Sequence, residues 1–182
     1  MLHFDFDASE LRRIADEFGA SEKQIALAYS RALRRTASNM KTQARKGLRE
    51  RLGLRSAAEL RKRMAGFRFN RGGGDLGSVR MWFGLNDLRA SAFKGRPKAA
   101  PGGASMAGRS VKDGFVAKNR KGQRTIMRRV GRSRYPIAEA KFDIEDEGSI
   151  FIEDEVFDEI DAVFFRNFRA EIRARTIYEV GG

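Results

Sequence analysis

The sequence contains no cysteine and a single histidine, His3, among its 182 residues. Without cysteine the chain can form neither a disulfide nor a thiolate zinc site, and one histidine cannot complete a common His/Cys metal site. No apolar run approaches the roughly 18 residues that a membrane-spanning helix needs. The first residues also lack the apolar core of a signal peptide. These absences predict a protein made in the cytoplasm that binds no membrane, metal or other cofactor, with His3 as an ordinary surface residue.

Positive charge is abundant and unevenly distributed. The chain has 37 Lys and Arg against 24 Asp and Glu, a net charge of +13. Residues 141–182 contain 5 basic against 12 acidic residues, a net of −7, so residues 1–140 have a net of +20. A basic body with an acidic end can bind a polyanion, or it can bind copies of itself head to tail.

The N-terminal residues predict a short strand followed by a short helix. Residues 2–7 alternate apolar and polar side chains, which is typical of a strand. Leu11, Ile14 and Phe18 then fall on one helical face, and Gly19 favours a helix end directly after them.

A second, longer helix is predicted from Ser21 to about Leu52. Ser21 and Gln24 have the spacing of a capping box, and Ser56 with Glu59 repeats that spacing before a further short helix. The apolar stripe of the long helix consists of Ile25, Ala28, Tyr29, Ala32, Leu33, Ala37 and Met40. Its opposite face is basic.

The middle of the chain changes from helical to strand periodicity. We expect a loop at 70–77, a strand at 78–85, and a β-hairpin whose strands flank a turn at 120–123. Residues 94–110 contain two of the three prolines and several glycines. That composition predicts a flexible surface loop that becomes ordered only when a partner binds.

The C-terminal segment, 141–182, is acidic and ends in a predicted helix. Residues 140–152 are expected to be extended or irregular, and a helix is expected from about residue 153 to about residue 178. Its apolar face consists of Val156, Ile160, Phe164, Phe168 and Ile172. The whole pattern predicts one α+β domain over residues 1–182, with N-terminal helices packed on a small antiparallel β-sheet and a long C-terminal helix.

Catalytic patterns are scarce. Glu139 and Lys141 form an E-x-K triplet with Asp113 upstream, an arrangement that metal-dependent nucleases use to bind a divalent cation. Asp113, however, lies in a turn-like context, and such triplets arise readily in a highly charged chain. The acids of residues 143–161 lack the spacing of a calcium loop. We therefore expect no catalytic residue and no metal site.

The predicted hairpin is the strongest candidate for function. Eight basic residues and no acid lie between positions 118 and 134: Lys118, Arg120, Lys121, Arg124, Arg128, Arg129, Arg132 and Arg134. They could neutralise several phosphates, which is sufficient for non-specific DNA binding. No zinc finger, ribonucleoprotein motif or helix-turn-helix accompanies them, so sequence-specific recognition is not expected.

The order of these motifs resembles the minor tail protein Z family, the tail completion proteins of long-tailed bacteriophages and prophages. That family combines a strand ending in W-x-G-L-N with G-x-F-V-A, a strand ending in Arg-Arg, and G-x-S/R-R-x-P-I-x-E. The resemblance covers about residues 20–140. The matching positions are Trp82, Gly84, Leu85, Asn86, Phe115, Val116, Ala117, Arg128, Arg129, Gly131, Arg134, Pro136, Ile137 and Glu139.

The resemblance implies a non-catalytic virion protein at the head-proximal end of the tail, where tail and head join. It implies as partners the tail terminator, the tail tube and the head–tail connector, and a ring of six copies around the tail axis. We expect head-to-tail contacts between copies, with these interface candidates: Arg128, Arg129, Arg134, Asp154, Glu155, Asp158 and Glu159. The candidates for contact with the DNA path are Lys118, Arg120, Lys121 and Arg124. A non-specific nucleic-acid-binding protein is the alternative.

Overall fold

The computed structural model describes residues 6–61, 63–64, 66–70 and 78–178. Within these residues, helices form both ends of the chain and short antiparallel strands lie between them, so the predicted α+β class is confirmed. None of the described helices is long and apolar enough to cross a membrane. His3 lies outside the described residues, as do positions 71–77 of the predicted loop.

Five α-helices lie in the described part of the chain. They are α1 (Ala8–Glu17), α2 (Glu22–Arg51), α3 (Ala58–Arg61), α4 (Glu145–Phe151) and α5 (Ile160–Thr176), with a π-helical segment (Ile152–Phe157) between the last two. The predicted capping box at the start of α2 is confirmed, because the Ser21 backbone nitrogen donates to the Gln24 side chain over 2.9 Å and the Gln24 nitrogen donates back to the Ser21 hydroxyl over 3.4 Å.

The prediction of a strand at 2–7 is wrong for residues 6 and 7, the two that the structure describes. Phe6 and Asp7 are in no strand, and residues 1–5 lie outside the described part. Asp7 instead caps α1, since its carboxylate accepts a hydrogen bond from the Ser9 backbone nitrogen over 2.8 Å. A short polar side chain at this position satisfies a helix N–H that would otherwise lack a partner.

The strands of the described chain form four small antiparallel sheets. They are β1 (Gly66–Asn70), β2 (Ser78–Trp82), β3 (Leu88–Arg89), β4 (Lys98–Ala100), β5 (Gly103–Met106), β6 (Arg109–Lys112), β7 (Phe115–Lys118), β8 (Arg124–Arg129), β9 (Ile137–Glu139) and β10 (Lys141–Phe142). β1 pairs with β2 and β3 with β10, whereas β4–β5–β6 and β7–β8–β9 form three-stranded sheets in that order. The strand predicted at 78–85 is present as β2, but it ends at Trp82, and residues 83–85 are in no strand.

The chain divides into two compact units, where the sequence predicted a single domain. The first contains Met1–Ala44, Met64–Phe83 and Ile152–Gly182, and the second contains Arg45–Arg63 and Gly84–Phe151. Both units are therefore assembled from separate stretches of sequence, and α2 contributes residues to each.

The core of the first unit comes from the predicted helical faces. The predicted face of the C-terminal helix is buried, and Phe164 stacks on Phe6 with ring centroids 3.7 Å apart. Phe168 lies parallel to Phe164 with ring centroids 6.0 Å apart. The stripe of α2 is buried at Ala28, Tyr29, Ala32, Leu33, Ala37 and Met40. Aromatic packing of this kind stabilises through both buried area and ring geometry.

A small aromatic cluster lies in the core of the second unit. Phe93 and Phe142 meet edge to face with ring centroids 5.2 Å apart. The Arg109 guanidinium lies 4.8 Å from the centroid of the Phe93 ring and donates to Glu147 over 2.6 Å. Arg109 therefore joins the β4–β5–β6 sheet to α4 through one cation–π contact and one ion pair.

The prediction of a flexible loop at 94–110 is wrong. Most of this segment forms β4, β5 and the start of β6, and Ala104 and Met106 are buried.

The glycines of this sheet form tight turns and permit close packing. Gly102 and Gly108 have φ of 73° and 74° at the two turns. A Cβ on Gly103 would lie 2.1 Å from the Val111 carbonyl oxygen, so only glycine fits at this position. Composition alone does not distinguish a flexible loop from a tightly turned sheet, which accounts for the error.

The C-terminal helix begins earlier and is less regular than predicted. Residues 145–151, expected to be extended or irregular, form α4. The Asp143 carboxylate caps this helix by accepting from the Glu145 backbone nitrogen over 2.8 Å. The acids of its first turn also suit the positive end of the helix dipole.

Candidate functional site

The predicted basic hairpin is confirmed as β7 and β8, and β9 extends it into a three-stranded sheet. In the register of this sheet Lys118 lies opposite Arg124, and Arg129 lies opposite Ile137. The middle of β8 is buried at Thr125 and Ile126. Both ends of β8 are exposed, so the sheet holds two separate groups of basic side chains at its ends.

The first group surrounds the turn between β7 and β8, residues 118–124, which we call the tip. Asn119 fixes its backbone, because the side-chain oxygen accepts from the backbone nitrogens of Lys121 and Gln123 over 3.0 and 3.1 Å. Gly122 adopts a φ of 75° in this turn. The exposed cations of the tip are the four predicted DNA-path candidates, Lys118, Arg120, Lys121 and Arg124, and none forms an ion pair with another described residue.

The second group lies at the other end of β8 in residues 128–137, which we call the arm. All ten residues are exposed. The arm is closed by a hydrogen bond of 3.0 Å from the Val130 backbone nitrogen to the Pro136 carbonyl oxygen, next to a cis Tyr135–Pro136 bond. Its four arginines are Arg128, Arg129, Arg132 and Arg134, and no described carboxylate forms an ion pair with them.

The arm also exposes apolar side chains that the sequence analysis did not identify as functional. Val130 is 63% exposed, Tyr135 is 64% exposed and Ile137 is 39% exposed. The Arg134 guanidinium lies 5.8 Å from the centroid of the Tyr135 ring. The sequence signal for this surface was the break in strand alternation after Arg129, where apolar residues occur singly among arginines and glycine.

The tip and the arm are distinct surfaces. Three residues of β8, 125–127, lie between Arg124 of the tip and Arg128 of the arm, so these two positions are about 13 Å apart at roughly 3.3 Å per residue. That distance exceeds the Debye length of about 8 Å at physiological ionic strength, so each group of charges acts largely on its own. The structure thus separates the two sets of basic residues that the sequence analysis distinguished.

The acidic interface candidates lie in the first unit. Asp154, Glu155, Asp158 and Glu159 are all exposed, in the π-helical segment and in the turn that follows it. π-Helical segments are rare and occur often at functional sites. None of these four acids forms an ion pair with another described residue.

The E-x-K triplet has a structural explanation. The Glu139 carboxylate accepts hydrogen bonds of 2.8 Å from both the Ser91 backbone nitrogen and the Thr125 hydroxyl. Burial alone would raise the pKa of Glu139, but these hydrogen bonds and the positive charge of Arg89 outweigh it, so the pKa lies below its ordinary value. Asp113 is exposed in a turn with a φ of 56°. No group of three His, Asp or Glu side chains in the described residues is arranged to hold a metal ion.

No protein-family model, no curated protein and no solved structure matches this chain. The resemblance to the tail completion family therefore stays a prediction based on the motif positions. The physical basis for function is the two exposed basic ends of the β7–β8–β9 sheet.

Proposed function

We propose that the protein is a structural component of a long-tailed phage or prophage particle, where it completes the head-proximal end of the tail and supports head–tail joining. The arm is the observation that carries this proposal. It contains most of the final motif of the resemblance, and all ten of its residues are exposed, with arginines and apolar side chains side by side. A surface of this composition is typical of protein–protein contacts, in which Arg and aromatic residues are enriched.

In this proposal the protein is located in the virion at the head–tail junction. Its partners are the tail terminator, the tail tube and the head–tail connector, and its copies form a closed ring of six. The proposed role requires no catalysis, which accords with the hydrogen-bonded, structural position of Glu139.

Deletion of the gene in the phage or prophage that encodes it tests the proposal. We expect lysates with separate filled heads and tails, seen by negative-stain electron microscopy, and a loss of infectious titre that the wild-type gene restores in trans. A deletion lysate with intact particles at the wild-type titre would contradict the proposal. A lysate without any heads or tails would also contradict it, because that phenotype belongs to an earlier assembly step.

The second candidate function is non-specific DNA binding, which the exposed cations of the tip favour. Each phosphate contact that is lost should lower the slope of log affinity against log salt concentration by about one. We therefore expect Lys121→Ala to lower this slope in a duplex-binding assay, whereas Arg129→Ala leaves it unchanged. Undetectable binding of the wild-type protein at low salt would remove this candidate.

A further inference from the structure

The arm concentrates exposed apolar surface as well as positive charge. Three of the six exposed large apolar side chains in the described residues lie within these ten positions, namely Val130, Tyr135 and Ile137. Four arginines accompany them, and the arm contains no acid. Apolar side chains gain little from contact with phosphates, whereas they gain free energy when another protein covers them. This composition favours a protein surface over DNA as the occupant.

A surface of opposite charge lies on the same chain. Residues 153–161, which we call the acidic segment, contain six carboxylates and no basic residue. All six side chains are exposed: Glu153, Asp154, Glu155, Asp158, Glu159 and Asp161. Val156 and Ile160 are buried beneath them and anchor the segment to the first unit. The carboxylates are therefore presented from a fixed backbone.

We propose that the arm of one copy docks against the acidic segment of a second copy. Arginine guanidinium groups bind carboxylates through paired hydrogen bonds, so the arginines determine specificity and speed the encounter, while Val130, Tyr135 and Ile137 provide the apolar area. The two surfaces are different parts of the chain. Each copy therefore uses its arm for one neighbour and its acidic segment for another, which generates a ring or a filament.

The size of the arm limits the strength of this contact. Ten residues are fewer than the roughly 20 to 30 residues a side of a standard stable interface. The purified protein should consequently associate weakly, more at high protein concentration and less at high salt. The inference specifies which surfaces form the ring in the proposed function, but it is tested on the purified protein alone. Its failure would therefore leave the result of the gene deletion unaffected.

Charge exchange between the two surfaces provides the test. Sedimentation velocity is measured on the full chain, free of nucleic acid, over a range of protein concentrations at low and high salt. Arg128→Glu with Arg129→Glu should weaken association at least ~tenfold, because like charges then face each other. Asp158→Lys with Glu159→Lys should do the same. A chain with all four substitutions restores opposite charges and should associate again, as should an equimolar mixture of the two double variants.

Two controls keep the assignment specific. Arg120→Glu with Lys121→Glu changes the net charge by the same amount at the tip and should leave association unchanged. Tyr135→Ser should weaken association while preserving its salt dependence. Far-UV circular dichroism verifies that each variant is folded.

Several results would overturn the proposal. In the first, the wild-type protein is monomeric at every protein and salt concentration. In the second, the tip substitutions weaken association as much as the arm substitutions. In the third, both double variants are folded, but combining them does not restore association. Association that occurs only when duplex DNA is added, and that Arg128→Glu with Arg129→Glu abolishes, would assign the arm to DNA.

Discussion

Gly103→Ala is the sharpest single test of the β4–β5–β6 sheet, which the sequence predicted to be a flexible loop. In a flexible loop, replacing glycine by alanine slightly stabilises a protein, because the unfolded chain loses conformational freedom. In the structure the new Cβ would lie 2.1 Å from the Val111 carbonyl oxygen, whereas ordinary contacts begin at 3.4 Å. A flexible loop therefore predicts that Gly103→Ala slightly raises the free energy of unfolding, whereas the sheet predicts that it lowers it.

The expected cost follows from what must move. Closing the difference between 2.1 and 3.4 Å requires β6 to shift by about 1.3 Å. That shift disturbs two backbone hydrogen bonds, from Gly114 N to Val111 O (3.2 Å) and from Asp113 N to Gly102 O (2.9 Å). At about 1 kcal/mol for each bond, with a further 1–3 kcal/mol of packing strain, the free energy of unfolding should fall by roughly 2–4 kcal/mol.

Thermal and urea unfolding of Gly103→Ala and Gly131→Ala, followed by circular dichroism, measure this difference. A Cβ added to Gly131 would meet no heavy atom within 4 Å, and this glycine has no left-handed φ, so it is the matched control and should change stability by less than about 1 kcal/mol. For a chain of this length each kcal/mol shifts Tm by about 2–4 °C, so Gly103→Ala should lower Tm by roughly 5–15 °C. Equal Tm values for the two variants would refute the sheet.

Two further predictions concern carboxylates. Glu171 and Arg175 are 7% and 5% exposed and pair over 2.6 Å, so Glu171→Gln should lower the free energy of unfolding by about 3–5 kcal/mol. Arg35→Ala removes the second partner of Glu171, which is 62% exposed, and should lower the free energy of unfolding by no more than about 1 kcal/mol. Similar losses from the two substitutions would contradict the buried pair. The lowered pKa of Glu139 means that its stabilisation is present above the ordinary value of 4.5 and is lost as pH falls through the lower folded value. The advantage of wild type over Glu139→Gln in urea midpoint should therefore shrink on acidification, and a constant difference would count against the hydrogen bonds of this carboxylate.

Periodic features were predictable from the sequence because they depend on local spacing. The apolar faces of α2 and α5 and the hairpin of β7 and β8 repeat at the periods of helix and strand. The sheet at 94–110 was not predictable, because its stability comes from close contacts such as Gly103 against Val111 that occur only after folding. α4 was not predicted for a different reason: its cap, Asp143, is one of many acids in an acidic stretch and does not stand out as a helix start.

The candidate site was predicted in part. The basic residues of the hairpin could be named in advance, because charge is visible in the sequence. Their separation into a tip and an arm depends on the register of β8, which places Arg124 and Arg129 at opposite ends of one strand. The apolar side chains of the arm, such as Tyr135, could not be identified as exposed, because exposure depends on what the rest of the chain leaves uncovered.

The composition of the first unit has a consequence for how the protein folds as it leaves the ribosome. Phe6 and the apolar stripe of α2 emerge early, but Phe164, on which Phe6 stacks, lies more than 150 residues after Phe6 in the chain. The first unit therefore cannot close until α5 has been synthesised, and contacts of such long sequence separation form slowly. During synthesis the second unit, all of whose residues precede Ile152, can complete its core first. Biogenesis should thus proceed from the middle of the chain outwards, with α1 and the part of α2 before Arg45 exposed to chaperones until translation is nearly finished.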